Sequence, residues 1–224
     1  IEKPIAATLA EAEALLAQAQ RGGRVVQVGH LEWFNAALRA MAPVIRRPRF
    51  VEAHRMGPYP GRATDVDIVR DLMIHDIDIV QRLVGEEPES VEGIGVPVLS
   101  TQVDIANARL RFPGGCVANF TASRVSPTPM RKIRFFQADG YFSIDFLEKS
   151  AVILRRRLAA DGTPKIDVEP IQFDPEDALA AQLADFLEAV RERRVQDEGA
   201  AAALRALRTA LRVVAAMPPL DALQ

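Results

Sequence analysis

Apolar positions change their spacing several times along the chain, and each change predicts a different kind of element. Leu9, Ala12, Leu16 and Ala19 recur at steps of three and four. Thr8 and Glu11 open that stripe with capping-box spacing and Gly22-Gly23 close it, which predicts a helix over residues 8–21. The next segment, RVVQVGH, reads as a short buried strand. An extended EKP, a helix and a strand in under about 30 residues have the loop economy of an α/β unit, so this looks like the closing edge of a parallel sheet. A second helix is expected from Asn35 to Arg46, and RFVEAHRM is strand-like.

From Ser90 to about Ile171 the period becomes two. SVEGIGVPVL, VDIANARLRF, GCVANFTASRV, RKIRFFQA, YFSIDF, SAVILRRR and KIDVEPI are β-like runs, and FPGGC and QADGY read as hairpin turns in which glycine supplies a positive φ. The alternation in ANARLRF and ANFTASR suits a sheet with one face packed and one face open. Helical spacing then returns. Asp174 before Pro175 predicts an N-cap; Leu179, Leu183, Phe186, Leu187 and Val190 share one helix face. Leu204, Leu207, Leu211 and Val214 do the same for a last helix, which Pro218 and Pro219 stop. The fold class that follows is α+β: residues 1–30 as a helix–strand unit, and residues 31–224 as a second domain built on a large, mainly antiparallel open sheet flanked by helices.

One predicted helix is unlike the others. In IVRDLMIHDIDIVQRLVG, residues 68–85, ten of the positions from Ile68 to Val84 are aliphatic or Met. Yet Asp71, His75, Asp78 and Arg82 follow one another at steps of four, three and four, which places them on one face. Burying an unpaired neutral polar group costs roughly 1 to 3 kcal/mol and a charge costs more. The stripe is therefore either an internal ion-pair ladder or the wall of a cleft where chemistry occurs.

Composition narrows the classes. With 49% apolar and 26% charged residues, a net charge of −2 and pI near 6.0, the chain has ample material for a core and no basic field that would hold nucleic acid. Cys116 is the single cysteine, which excludes an intrachain disulfide and a cysteine-based zinc site, and it fits a reducing, cytoplasmic setting. No apolar run reaches the roughly 18 residues of a membrane span. Ile1 opens the chain in mid-pattern, so further sequence is expected upstream.

Three local motifs occur in order: EKP at residues 2–4, QVGHLEWFN at 27–35 and DLMIHDID at 71–78, followed by the sheet region and two helices. As a set they resemble the Gfo/Idh/MocA family of nicotinamide-dependent sugar and polyol oxidoreductases. Within it they look closest to the branch acting on nucleotide-linked amino sugars. The sequence departs from the family at Trp33, where Arg is common, and at Ala36, where Pro is frequent. The resemblance implies a Rossmann domain followed by a mainly β substrate domain, with residues 1–30 as the Rossmann domain's last helix–strand unit. No GxGxxG occurs here, so this chain alone is expected to hold NAD or NADP poorly and to be inactive without the rest of the cofactor domain. The resemblance further implies a homo-oligomer through the open sheet face.

The resemblance places Glu2, Lys3 and Pro4 beside the cofactor, with Lys3 near the reacting hydroxyl, where an ammonium would stabilise developing alkoxide charge. His30, after the last Rossmann-like strand, is a further cofactor-side candidate, although a strand-end packing role is the plainer reading. Imidazole suits a group that takes a hydroxyl proton near neutral pH, so His75 is the candidate acid/base, with Asp71 one turn earlier as the group that orients its ring. Asp71 and His75 would then also touch substrate. Asp78 and Arg82 read as a supporting i to i+4 ion pair. Asp71, His75 and Asp78 have ligand chemistry for a divalent ion, but no second His or Cys joins them locally, and no metal is assigned. Asn35, Arg55 and Arg62 are candidates to receive the substrate, the two arginines through a carboxylate or phosphate; exposed cations in weak salt bridges are the alternative. Trp33 either stacks on a sugar or packs in the core. The expected reaction is hydride transfer between NAD(P) and a secondary hydroxyl of a sugar, polyol or nucleotide-linked sugar. Two rivals are a non-catalytic, self-associating sheet domain and a glycoside hydrolase of the same family with a retained NAD.

Overall fold

The computed structural model describes residues 1–59, 61, 66–174, 176–195 and 198–219. Eight strands form a single sheet in the order β2-β3-β4-β1-β5-β6-β7-β8. They are β1 Phe50–Met56, β2 Ser90–Val96, β3 Ile105–Arg111, β4 Val117–Ser123, β5 Met130–Gln137, β6 Gly140–Asp145, β7 Ser150–Leu158 and β8 Pro164–Pro170. Every neighbouring pair is antiparallel except β1 and β4, which run parallel with Phe50 opposite Val117 and Met56 opposite Ser123. A parallel pair needs a long crossover, and here it is supplied by the polar helix and the β2–β3 hairpin.

Period-two patterning puts Val51, Ala53, Ala106, Ala108, Leu110, Ala118, Phe120, Ile133, Phe135, Phe142, Ile144 and Ile153 on the buried face. Onto it pack α3 (Ile74–Val84) and α5 (Glu198–Ala216), so the polar helix lies directly on the sheet. Gly93 lets α5 approach β2: a Cβ there would sit 2.8 Å from the main-chain oxygen of Val213, which cannot swing aside. Gly93→Ala is therefore expected to cost about 1–3 kcal/mol, read as a lower urea midpoint at unchanged m-value.

The first helix is α1, Leu9–Arg21, with both bonds of the capping box between Thr8 and Glu11. It joins α5 through a second cluster, Ile5, Ala12, Val28, Ala203 and Leu207. RVVQVGH forms no strand of the sheet, contrary to its apolar pattern. Its ladder bonds among the described residues are two: Ile1 N donates to Gln27 O at 2.9 Å and Gly29 N donates to Ile1 O at 2.8 Å. That pattern is one rung of a parallel pairing with α1 as its crossover.

Three other expectations are adjusted. The Asn35–Arg46 helix is short, α2 at Ala36–Met41 followed by a 3-10 turn at Ala42–Val44, because Pro43 has no N–H with which to continue the helical ladder. The cap of α4 (Ala178–Arg191) is Asp177, which accepts from Leu179 N and Ala180 N, rather than Asp174; Pro175 lies outside the described residues. Of the two hairpin glycines, Gly115 has φ +82°, whereas Gly140 does not use positive φ and is needed for space, 3.0 Å from Leu154 O to a would-be Cβ.

The apolar stripe of α4 also faces outward. Leu179, Leu183, Leu187 and Val190 are 45–63% exposed, while Ala181 and Ala189 are buried. The helix docks through those small side chains and a Gln27–Asp185 hydrogen bond of 2.5 Å, which holds it against the segment before α2.

Candidate active site

The polar helix begins with Asp67, whose Oδ1 accepts from Val69 N at 3.0 Å and Arg70 N at 2.9 Å. Its first stretch, Val69–Met73, is a π-turn in which Ile74 N reaches back to Val69 O, and α3 continues to Gly85, left-handed at φ 77°. A π-turn takes more than four residues to come round, so Asp71 and His75 do not stack as an α-helical i to i+4 pair would.

That geometry changes Asp71's partner. The Lys3 ammonium donates to Asp71 O at 2.5 Å and to Asp71 Oδ1 at 3.1 Å, with the side chains 19% and 28% exposed. Lys3 is held by the chain before Pro4, across a cis Lys3-Pro4 bond. No Asp71–His75 hydrogen bond forms, and Nδ1 of His75 is enclosed without any partner. Asp71 thus holds Lys3 in place rather than orienting the imidazole.

His75 is partly buried, and burial first, then the positive charges of Arg55 and Lys3, with lesser contributions from His30 and Arg131, push its pKa well below the usual histidine value. It is therefore neutral through the physiological range, the form a proton acceptor needs. His30 lies behind it, ring centroids 6.2 Å apart and planes at 73°. At 2% exposure His30 is buried, and the little surface it keeps lies on a cavity wall. Its Nδ1 is 3.7 Å from Asp78 Oδ2.

Asp78 and Arg82 form the expected ion pair, both carboxylate oxygens 3.0 Å from Nε, and the Arg82 guanidinium lies 4.8 Å above the Trp33 ring. Trp33 packs on the core, the plainer of its two readings.

Arg55 is not a substrate receptor. It points into the core at 3% exposure, clamped by Asp76 at 2.8–3.3 Å and by Glu32 Oε1 at 2.7 Å, so each of its three nitrogens serves a carboxylate. Burial alone would lower its pKa, but those two carboxylates raise it further above its ordinary value. Asn35 caps α2, with Oδ1 accepting from Ala37 N and Leu38 N, and borders a cavity of about 400 Å³ with Lys149 and Phe173, away from His75. Arg62 lies outside the described residues.

Asp76 was the residue that sequence reasoning missed. Its signal was present: Arg55 shares the strand parity of Val51 and Ala53, the inward set, and an inward arginine requires a buried carboxylate opposite.

A cavity of about 850 Å³ includes His30 and Arg82 in its wall but not Lys3, Asp71 or His75. The chemistry instead gathers at the partly exposed Lys3–Asp71–His75 edge. An ammonium, a carboxylate and a neutral imidazole with an unpaired nitrogen fit the reacting end of a nicotinamide cofactor and its alcohol. Nothing among the described residues offers a glycine-rich turn for its pyrophosphate.

An open, mostly antiparallel sheet with a His-bearing helix laid on it is the architecture of the C-terminal domain in a class of nicotinamide-dependent oxidoreductases. Comparison with known proteins agrees: the GFO/IDH/MocA C-terminal domain family matches residues 43–143. The chain is 37% identical over 215 residues to UDP-N-acetylglucosamine 3-dehydrogenase of Acidithiobacillus ferrooxidans, covering 95% of this chain and 69% of that enzyme. A solved structure of that enzyme superposes with a TM-score of 0.88 at 36% identity, over 97% of this chain and 69% of the other. Scyllo-inositol 2-dehydrogenase (NAD(+)) of Bacillus subtilis is 28% identical over 207 residues, 85% of this chain and 60% of that enzyme. The chain belongs to the Gfo/Idh/MocA family of oxidoreductases, whose matched relatives act on sugars and polyols.

Proposed function

We propose that the complete protein oxidises a secondary hydroxyl of a nucleotide-linked amino sugar of the UDP-N-acetylglucosamine kind with NAD or NADP. The observation that carries this reading is the 37% identity to the UDP-N-acetylglucosamine enzyme over nearly the whole chain, against 28% for the inositol enzyme. The Bacillus subtilis scyllo-inositol enzyme is named for NAD(+). The matched relatives are dehydrogenases, and neither the sheet-only nor the glycoside-cleaving alternative finds support among them.

The nicotinamide supplies the hydride acceptor when bound. Neutral His75 takes the hydroxyl proton on Nε2, its Nδ1 being the enclosed nitrogen. Lys3, steadied by Asp71, places positive charge where alkoxide character develops. Lys3→Met is expected to lower kcat about 10²-fold while Asp71→Asn, which loosens Lys3, lowers it less. Steady-state kinetics of both variants check this order.

We place the domain boundary near residue 30, with residues 1–30 closing the cofactor domain and the open sheet face joining copies of the chain in the cytoplasm. No helix among the described residues is long and apolar enough to cross a membrane. The test of function is reduced-nicotinamide absorbance from the complete protein with UDP-N-acetylglucosamine, free N-acetylglucosamine and scyllo-inositol. Turnover confined to the nucleotide sugar is expected; no turnover with any of the three overturns the reading.

A further inference from the structure

We propose that His30 is a positioning and relay residue that carries the substrate's proton from His75 to solvent. The inference rests on the dehydrogenase reading above. Oxidation of a secondary alcohol by NAD+ yields a ketone, NADH and one proton, and that proton must leave the site. His75 is a poor place to keep it. The charges that weigh most on it are those of Arg55, Lys3, His30 and Arg131, and all four oppose a positive ring. An imidazolium formed there is repelled on several sides.

His30 differs in one respect: it has an anion beside it. Asp78 Oδ2 lies 3.7 Å from His30 Nδ1, while Arg82, itself paired to Asp78, and Lys3 oppose the charge. Both ring nitrogens of His30 and Nδ1 of His75 are buried without a hydrogen-bond partner. Three orphaned imidazole nitrogens on two adjacent rings are costly unless they serve one another or a water. A direct N–H···N bond of about 2.9 Å would bring ring centroids to roughly 5 Å. The observed 6.2 Å leaves the rings about an ångström short, a gap that one bridging water closes. On its other side His30 lines the cavity of about 850 Å³, which also contains Gln27, Asp185 and Arg82 and is polar and large enough to hold water.

The proton balance closes with no further reagent. The substrate O–H bond breaks as His75 Nε2 gains the proton; His75 Nδ1 gives its own proton to a nitrogen of His30; the other His30 nitrogen releases one to cavity water. The C–H electron pair leaves as hydride to NAD+. Each imidazole ends neutral with its tautomer switched; the reset returns a proton along the path to His75 Nδ1 while Nε2, at the partly exposed edge, gives its proton to solvent once product has left.

The test uses the complete protein. His30→Ala is expected to lower kcat on the order of ten- to a hundredfold, less than loss of a direct acid/base. KM should stay unchanged, the solvent deuterium isotope effect on kcat should rise, and added imidazole should restore turnover through the cavity wall. His30→Gln, which keeps a comparable volume, should show the same loss without rescue. A second readout needs no turnover: by nitrogen-15 NMR, exchange of the His75 ring proton with water should slow about tenfold in His30→Gln. Unchanged exchange in a folded variant overturns the relay, as does a kcat loss that neither imidazole nor the isotope effect tracks. If no sugar is oxidised by the wild type, the dehydrogenase reading fails separately, and the exchange measurement still decides whether the two histidines share a proton.

Discussion

Replacing His75 by Ala in the complete protein is expected to lower kcat by roughly 10² to 10⁴ with little change in the melting temperature, the effect typical of removing a direct acid/base. Its ring is partly exposed and makes no hydrogen bond, so little native structure depends on it, whereas every proton leaving the substrate passes through it in the proposed reaction. The pH profile supplies an independent check. Oxidation needs the unprotonated ring, and burial together with Arg55 and Lys3 depresses its pKa. Activity is therefore expected to stay flat through pH 6.5 and below, and to fall only as the pH drops past that depressed value. An acid limb at or above the ordinary histidine range, or full turnover by the Ala variant, overturns the role given to His75.

The largest stability effect is expected at Asp104, between β2 and β3. Its carboxylate is fully buried and accepts from Val98 N at 2.8 Å, Leu99 N at 2.7 Å and Ser100 N at 2.8 Å, from the Ser100 hydroxyl at 2.7 Å and from Arg124 Nε at 2.7 Å. Asp104→Ala leaves three amides without their acceptor and takes from the buried Arg124 the carboxylate that its Nε donates to. The expected cost is about 3–5 kcal/mol, a large part of the stability of an ordinary domain. Urea denaturation measures it directly, and a cost below about 1 kcal/mol would contradict the geometry.

The same group gives an acid limb. Burial raises the Asp104 pKa, but the bonds from Ser100, Leu99 and Arg124 outweigh burial and hold it well below the usual carboxylate range. A carboxylate depressed in the folded state contributes stability that is complete above its unfolded pKa of about 3.9 and is lost as pH falls toward the folded value. The gap in stability between wild type and Asp104→Asn is therefore expected to be constant above about pH 5 and to narrow below pH 4.

Much of the architecture was legible in the chain. The period-two runs from Ser90 onward became β2 through β8 nearly residue for residue, because alternation commits each strand to one buried face wherever the partner strand lies. The Thr8 cap and the Asp78–Arg82 pair are likewise local: both partners lie within four residues, so chain geometry alone brings them together. The family resemblance was legible for a similar reason, since its motifs are short and contiguous.

What the sequence could not reveal depends on partners far apart in the chain. Lys3 meets Asp71 across 68 residues, Arg55 meets Asp76 across 21, and Gln27 meets Asp185 across 158. Periodicity put Asp71 beside His75, but a single π-turn and a distant lysine gave Asp71 another partner. Arg55 read as a loop-end cation free to meet an anion, yet strand parity and the carboxylate of α3 took it into the core. Local spacing determined which residues form helices and strands and which face they show. Only tertiary contact decided which charges neutralise one another, because an ion pair is a matter of distance in space, and separation along the chain does not set that distance.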